Sequence, residues 1–383
     1  MNLPAEKETP RSVYFHVPFC AHRCGYCNFT LVAGRDYLIE RFLVALEKEL
    51  HSIVNERLEV DTIYLGGGTP SHLNEKQLEK LGRIIHSRFQ LAVNGEFTAE
   101  CNPKDLDSSR ANALGGVGVN RVSLGVQSTR GEKLKVLERD HDYEQTVRSV
   151  IAARTFANSV SVDLIFATPD ETIDQWTEDL DRALQLQPDH FSTYELTFEK
   201  GTSYFSRLTR DELRESGEDL TSEMYSHTVG RLEEAGFSRY EISSFAKQGH
   251  RSRHNSMYWS GVPFYAFGPG AASYLDGIRR NNHRSTLRYL QLVEAGQSPV
   301  NEIEELTAEE SARELLAIGL RQVDGVDVRQ FELRTGFQPQ QLLEDSLHTL
   351  YDNGLAENVS GRMRLTSTGL IVCDSIAEMI LGR

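Results

Sequence analysis

Cys20, Cys24 and Cys27 fall at C-x-x-x-C-x-x-C spacing, and Pro18 and Gly25 keep the surrounding stretch out of regular structure. Such a loop can fold its sulfurs inward onto one metal centre. Three ligands are too few for a closed tetrahedral zinc site, and no fourth Cys follows nearby. Three is the right number for a four-iron cluster with one iron left open, and an open iron can bind a small molecule. The bland alternative is a zinc loop or three incidental thiols. Farther on, Gly66-Gly67-Gly68-Thr69-Pro70 would let backbone approach a ligand closely. A tight strand-to-helix turn would use the same residues, and the Gly-Lys-Ser/Thr of a nucleotide P-loop is missing.

The elements that must position these residues alternate. Runs at 13–17, 62–65, 97–101, 121–124, 160–165 and 190–194 read as strands. Ile39, Phe42, Leu43, Leu46, Leu50 and Ile53 recur at helical spacing. A second helix is predicted over 74–89, with Asn74 as its cap and Gln77 three residues on. Further helices are predicted at 104–114, 141–157 and 173–186. Six β–α alternations predict an α/β fold with a parallel sheet and right-handed crossovers, either an open doubly wound sheet or a partial barrel. The cysteines follow the first strand and the glycines the second. Glu100 ends the third strand, Gln127 lies just past the fourth, and Asp163 sits within the fifth. Barrel and α/β enzymes build their sites at the C-terminal ends of strands, so one shared mouth is the simplest explanation.

Beyond the strands, a helical region is predicted over 210–236. Residues 239–278 read as irregular, aromatic and glycine-rich, suited to loops over a pocket. The expected division is a core at 1–283, a helical linker at 284–305 and a smaller module at 306–383. In that module Thr307 caps a helix with Glu310 three residues later, and helices are predicted at 327–335 and 340–353. A hairpin turns about Ser360-Gly361, and Thr366 starts a last helix. Helices followed by a hairpin resemble a winged-helix module.

The formal net charge of −15 argues against a broad nucleic-acid surface. A local basic patch is left to Arg251, Arg253, Arg279, Arg280 and Arg284. Five cysteines, three of them clustered, suit a metal site in a reducing compartment better than a disulfide framework. Cys101 and Cys373 read as ordinary buried thiols. No apolar run approaches the roughly 20 residues of a membrane span, and the polar start, residues 1–11, lacks the apolar centre of a signal peptide. A cytoplasmic location is expected.

The cysteine spacing resembles the radical S-adenosylmethionine (SAM) superfamily. That resemblance implies a [4Fe-4S] cluster whose open iron chelates SAM and whose electron cleaves its carbon–sulfur bond homolytically. It implies Tyr26 near the adenine and the glycine motif against the methionine amino group. Ribose hydroxyls call for carboxylate or amide acceptors, which Glu100, Gln127 and Asp163 could supply, and Arg139 is the natural partner of SAM's carboxylate. Without that context each reads more readily as a surface or structural polar residue.

A closer resemblance rests on motifs in order. They are Tyr14 with His16, the cysteine loop, Gly-Gly-Gly-Thr-Pro at 66–70, Ala-Glu-Cys-Asn-Pro at 99–103, Ser-Leu-Gly-Val-Gln-Ser at 123–128 and Val-Asp-Leu-Ile-Phe-Ala-Thr-Pro at 162–169. They look like the HemN/HemW family of oxygen-independent coproporphyrinogen III oxidases and relatives, over nearly the whole chain. The resemblance implies a partial (β/α)6 barrel with a small C-terminal helical module. It makes Cys20, Cys24 and Cys27 cluster ligands. It assigns SAM contacts to Tyr14, Gly67, Gly68, Thr69, Glu100, Gln127, Arg139 and Asp163, with Thr197 a weaker candidate. Two departures separate the branches. The oxidase continues its loop to a fourth Cys, where this chain has Asn28 and Phe29, and it carries a longer N-terminal extension. Residues 254–259, His-Asn-Ser-Met-Tyr-Trp, match the H-N-x-x-Y-W signature of HemW-type heme chaperones. There His254 is a candidate axial heme ligand, with Tyr258 and Trp259 able to pack on porphyrin. Alone the stretch reads as a polar loop with two aromatic anchors. The expected function is to bind heme and deliver it to apo-hemoproteins such as respiratory enzymes. The alternative is oxidative decarboxylation of coproporphyrinogen III. No nucleic-acid partner is expected; productive SAM cleavage, a homodimer and membrane contact through the client are left open.

Overall fold

The computed structural model describes residues 9–382, so the stretch 1–8 of the expected leaderless start lies outside the described residues. Two compact units emerge, one of residues 9–231 with 263–303 and one of residues 232–262 with 304–382. The segment expected as a linker, 284–305, falls almost wholly in the first unit. The stretch 232–262 joins the second.

The first unit is built on six strands. They are β1 (Ser12–Val17), β2 (Leu58–Gly67), β3 (Phe89–Cys101), β4 (Arg121–Gln127), β5 (Ser159–Phe166) and β6 (His190–Glu195). They lie side by side in chain order, each parallel to the next. This is the expected (β/α)6 succession. The crossovers are α1 (Ile39–Ile53), α2 (Glu75–His86), α3 (Ser108–Gly116), α4 (Gly131–Val136), α5 (Tyr143–Arg154) and α6 (Ile173–Gln185). Capping boxes fix where three of them begin: Asn74 with Gln77, Asp142 with Gln145, and Thr172 with Gln175. The third helix starts later than the sequence predicts because Asp107, whose side chain accepts from Arg110 N, takes the cap.

A short strand, Tyr265–Phe267, pairs in parallel with β1 on its outer side. The sequence reads that stretch as irregular, since three residues carry no visible period. Its neighbourhood is tied down by Glu49 of α1. This carboxylate is 2% exposed and accepts from Gly268 N at 2.9 Å, Asn282 Nδ2 at 2.6 Å and Tyr289 Oη at 2.7 Å. A buried carboxylate is tolerable only when so bonded.

A second buried cluster anchors α4. Lys133 Nζ lies 2.5 Å from Glu171 and 3.1 Å from Asp179, with all three side chains at most 3% exposed. Ser128 and Thr129 also donate to Asp179, and Thr168 donates to Glu171. The ammonium stands 4.6 Å from the centre of the Trp176 ring, whose Nε1 donates to Thr228. This short helix carries the chain directly into Arg139.

The second unit holds the hairpin of Ser238–Glu241 with Ser244–Ala246 and the helix Arg253–Trp259. Its helices Ala308–Gly319 and Val328–Thr335 begin at Thr307 and Asp327 caps. The expected 340–353 helix is two, Pro339–Leu343 and Asp345–Asp352, parted at Glu344 with φ 45°. The hairpin forms where expected, Ala356–Val359 with Arg362–Leu365, and Val326–Asp327 adds a third antiparallel strand. Leu316, Leu320, Phe331, Leu350, Met363 and Ile380 share one core. Among the described residues no helix is long and apolar enough to cross a membrane.

Candidate functional site

Strand alternation decides what faces the interior. Val13, Phe15, Ile63, Ala99, Val122 and Val162 are completely buried. Between such positions fall Tyr14, Tyr64, Glu100, Ser123 and Asp163. A parallel sheet covered on both faces would be apolar at these places too. Here a polar file crosses the strands instead.

The file is hydrogen-bonded along its length. Tyr14 and Tyr64 stack with ring centres 6.0 Å apart. Tyr64 Oη donates to Glu100 Oε1 at 2.9 Å, and Gly67 N donates to Glu100 Oε2 at 3.1 Å. Burial pushes the Glu100 carboxyl up to about 7; Tyr64 and Gly67 oppose the rise and Asp163 adds to it. Burial also raises Asp163, against the hydrogen bonds of Ser123, Ser192 and Ser161. The two Ser123 contacts are 3.0 and 2.8 Å. The sequence carries one sign of Tyr64 as a site residue, its register partner Tyr14 on the neighbouring strand.

His16 forms the floor beneath the glycines. Burial lowers it to about 4, so it is neutral. Its Nε2 lies 2.6 Å from the Thr30 carbonyl, which can only accept, so that nitrogen carries the proton. Tyr14 Oη therefore donates to Nδ1, at 3.1 Å. Gly67, at φ 107°, stands so close that a Cβ would come within 2.5 Å of the imidazole. A Cβ on Gly68 would meet Phe19 O at 2.8 Å. The glycine run thus lets two backbones lie together: Gly68 N donates to Val17 O and Thr69 N to Phe19 O, both at 2.8 Å. That contact brings Thr69 Oγ1 within 3.2 Å of Cys20 Sγ.

Cys20 and Cys24 are buried and Cys27 is half-buried. Burial pushes the Cys20 thiol up to about 12, against its bond with Thr69. Cys24 Sγ faces Arg139 Nη1 at 3.8 Å, His22 Nε2 at 3.6 Å and the Glu138 carbonyl at 3.7 Å. Arg139 Nη2 donates to Gly125 O at 2.8 Å. Arg139 Nε and Gln127 Oε1 are buried without a hydrogen-bond partner among the described residues. Gln127 is further held at φ 64°, a strained setting for a residue with a side chain. Both atoms are left able to bond a ligand, and the guanidinium is the one that faces Cys24.

Tyr26 meets Tyr204 edge-on, with ring centres 6.1 Å apart. Tyr204, fully buried in the helix Ser203–Leu208, donates from its N to Gly25 O at 2.9 Å and from its hydroxyl to Val136 O. A Cβ on Gly25 would stand 2.6 Å from that ring. No sequence signal links Tyr204 to a loop so distant in the chain. Thr197, the weaker candidate, is exposed and bonds only locally, to Glu195 O at 3.5 Å. Among the described residues no three His, Cys, Asp or Glu side chains are gathered about one point.

His254 belongs to the second unit, on the helix Arg253–Trp259, where a loop was expected. It is completely buried, and burial drives its imidazole down to about 3. Its Nε2 bonds Tyr258 Oη at 2.8 Å, and the rings meet edge-on at 4.9 Å. Trp259 lies under the Arg321 guanidinium, 5.2 Å from the ring centre.

Comparison with known proteins adds the following. The Radical SAM superfamily description matches residues 14–183, and the HemN C-terminal domain matches residues 306–372. Heme chaperone HemW of Bacillus subtilis (strain 168) is 32% identical, the match covering 97% of this chain and 99% of that one. Heme chaperone HemW of Lactococcus lactis subsp. lactis is 35% identical, with 98% of each covered. The mitochondrial radical S-adenosyl methionine domain-containing protein 1 of Danio rerio is 30% identical, with 97% and 86% covered. Among solved structures, coproporphyrinogen III oxidase (HemN) of Escherichia coli superposes with a TM-score of 0.85 at 21% identity, covering 97% of this chain and 90% of that one. At that identity the likeness is one of fold.

Proposed function

The chain belongs to the HemW family of radical SAM proteins, and from that premise we propose that it is a heme chaperone, binding heme and handing it to apo-hemoproteins such as respiratory enzymes in the cytoplasm. The observation that carries the proposal is the reach of the similarity. Relatives named heme chaperone match over 97–98% of this chain. The competing oxidase reading loses support at Phe29, an exposed aromatic side chain where the oxidase motif needs a fourth Cys.

The residues fit the cofactors of the family. Cys20, Cys24 and Cys27 are proposed to hold a [4Fe-4S] cluster with one iron open. Such a cluster supplies one-electron chemistry at the sulfonium of SAM. Around it this chain's own groups bind and orient. The Arg139 guanidinium, with its Nε still unbonded, suits SAM's carboxylate. Gln127, Glu100 and Asp163 offer acceptors for ribose hydroxyls, and Gln127 Oε1 still lacks a donor. Gly67, Gly68 and Thr69 present backbone toward the amino group, and Tyr26 an aromatic face for adenine. Near pH 7 Glu100 can also hold a proton.

Heme is proposed to be handled in the second unit at the helix Arg253–Trp259. Ligation by His254 through Nε2 would require Tyr258 to release that nitrogen, and the imidazole, now completely buried, to become accessible. An anaerobic heme titration, followed by absorbance and Trp259 fluorescence, tests the proposal. Saturable binding near one heme per chain, spectrally altered in His254→Ala, is expected. Absence of binding in the native chain would overturn the chaperone reading. Binding unaffected by His254→Ala would remove His254 from the site.

A further inference from the structure

Residues 27–31 leave the last cysteine without forming helix or strand, yet every backbone carbonyl among them is taken by a side chain. Arg23 Nη1 donates to Cys27 O at 3.1 Å and Phe29 O at 3.3 Å, and its Nη2 donates to Leu31 O at 2.9 Å. Arg284 Nη2 donates to Asn28 O, and His16 Nε2 donates to Thr30 O at 2.6 Å. The odd carbonyls go to one guanidinium and the even ones to Arg284 and His16. The chain bends at Phe29 and Thr30, so that the carbonyls of Cys27, Phe29 and Leu31 gather about the Arg23 guanidinium while those of Asn28 and Thr30 are left to Arg284 and His16. Three side chains therefore hold this segment between them.

The grip is itself held in place. Arg284 Nε also donates to Thr30 Oγ1 at 3.2 Å. Its neighbour Asn282 is bonded to buried Glu49 at 2.6 Å, and Ser285 caps the helix Thr286–Glu294. A surface loop normally leaves its carbonyls to water. Here two arginines and a buried histidine serve them instead, immediately after Cys27.

We propose that Arg23 and Arg284 are positioning residues of the cysteine loop, a guanidinium clamp that holds segment 27–31, and with it Cys27, in its binding shape before any cluster is present. The inference rests on the reading of Cys20, Cys24 and Cys27 as cluster ligands. The two arginines are not equivalent. Arg23 spans three carbonyls with a planar fork, which the point-like ammonium of lysine cannot do. Arg284 reaches one backbone carbonyl, with the Thr30 hydroxyl and the Asn28 amide oxygen beside it, and a lysine could still bond Asn28 O.

The test uses the full-length chain as Arg23→Ala, Arg23→Lys, Arg284→Ala and Arg284→Lys, with Arg210→Ala as control. Arg210 bonds Glu212, two residues away, on the surface of the same unit. In iron-free protein, hydrogen exchange is followed at Cys27 and Val32, whose amides donate to Cys24 O and Pro18 O. Both alanine variants are expected to exchange about tenfold faster there, with the strands of the sheet unchanged. In anaerobically reconstituted protein, iron release to a chelator is expected to be about tenfold faster in the same variants. Arg284→Lys is expected to restore native rates, and Arg23→Lys not to. Exchange and iron release within twofold of native in both alanine variants would overturn the clamp. Should an alanine variant unfold, the split between the two lysine variants still decides. If the native chain takes up no iron, the cysteine reading fails, and the exchange measurement still judges the clamp by itself.

Discussion

Replacing Lys133 by methionine should cost the first unit about 3–5 kcal/mol. The methionine keeps most of the aliphatic volume, so little of this is packing. The loss arises because Glu171 and Asp179, 1% and 0% exposed, would face each other without their cation. The donors from Ser128, Thr129 and Thr168 remain and keep the loss from growing further. Urea unfolding of the iron-free chain reads the effect, because Trp176 stacks against Lys133. The chain has two tryptophans, one in each unit, so a Trp259→Phe background lets fluorescence follow the first unit alone. With a urea slope of about 3 kcal/mol per molar, the midpoint should fall by about 1–1.7 M. Adding Glu171→Gln should recover part of it, because the two sites share one network. A midpoint shift below about 0.3 M, or strict additivity of the two substitutions, would refute the argument that this cluster anchors α4.

Three further outcomes are expected. His16, His141 and His254 are buried neutral, at about 4, 4 and 3 against 6.5 when unfolded, so their contribution to stability is present above pH 6.5 and lost as pH falls below it. By pH 5 each should cost about 2 kcal/mol, and in His254→Phe the Trp259 transition should lose its share of that acid sensitivity; an unchanged pH slope would contradict it. Glu100 has the opposite sign: its carboxyl is raised from 4.5 to about 7, so the iron-free chain loses stability as pH rises through that range. Glu100→Gln should gain about 2 kcal/mol relative to the native chain between pH 5 and pH 8, which chemical denaturation at both pH values checks. Gly67→Ala, forced to φ 107° against the His16 ring, should destabilise by about 2–4 kcal/mol and weaken SAM binding in calorimetry, whereas a change under 0.5 kcal/mol would show that the two backbones can part cheaply.

The sequence by itself determined the succession of strands and helices, because each carries its own period and cap. Asn74 with Gln77 and Thr307 with Glu310 cap as their spacing predicts, since those bonds span three residues and need no tertiary help. It also determined which polar residues stand at strand ends, and through motif resemblance the family. Only the tertiary structure decided what those residues touch. Tyr64 on Glu100, Tyr204 beneath Gly25, and Arg284 on Asn28 are contacts between segments 36 to 256 positions apart. Such pairings leave no periodic trace in a chain. The second strand beside β1 leaves no trace for a related reason: Tyr265–Phe267 is too short to show alternation and pairs only because β1 offers it an edge. His254 shows the same division. Its motif is legible in the sequence, while its complete burial against Tyr258 follows from a helix whose packing no local signal specifies.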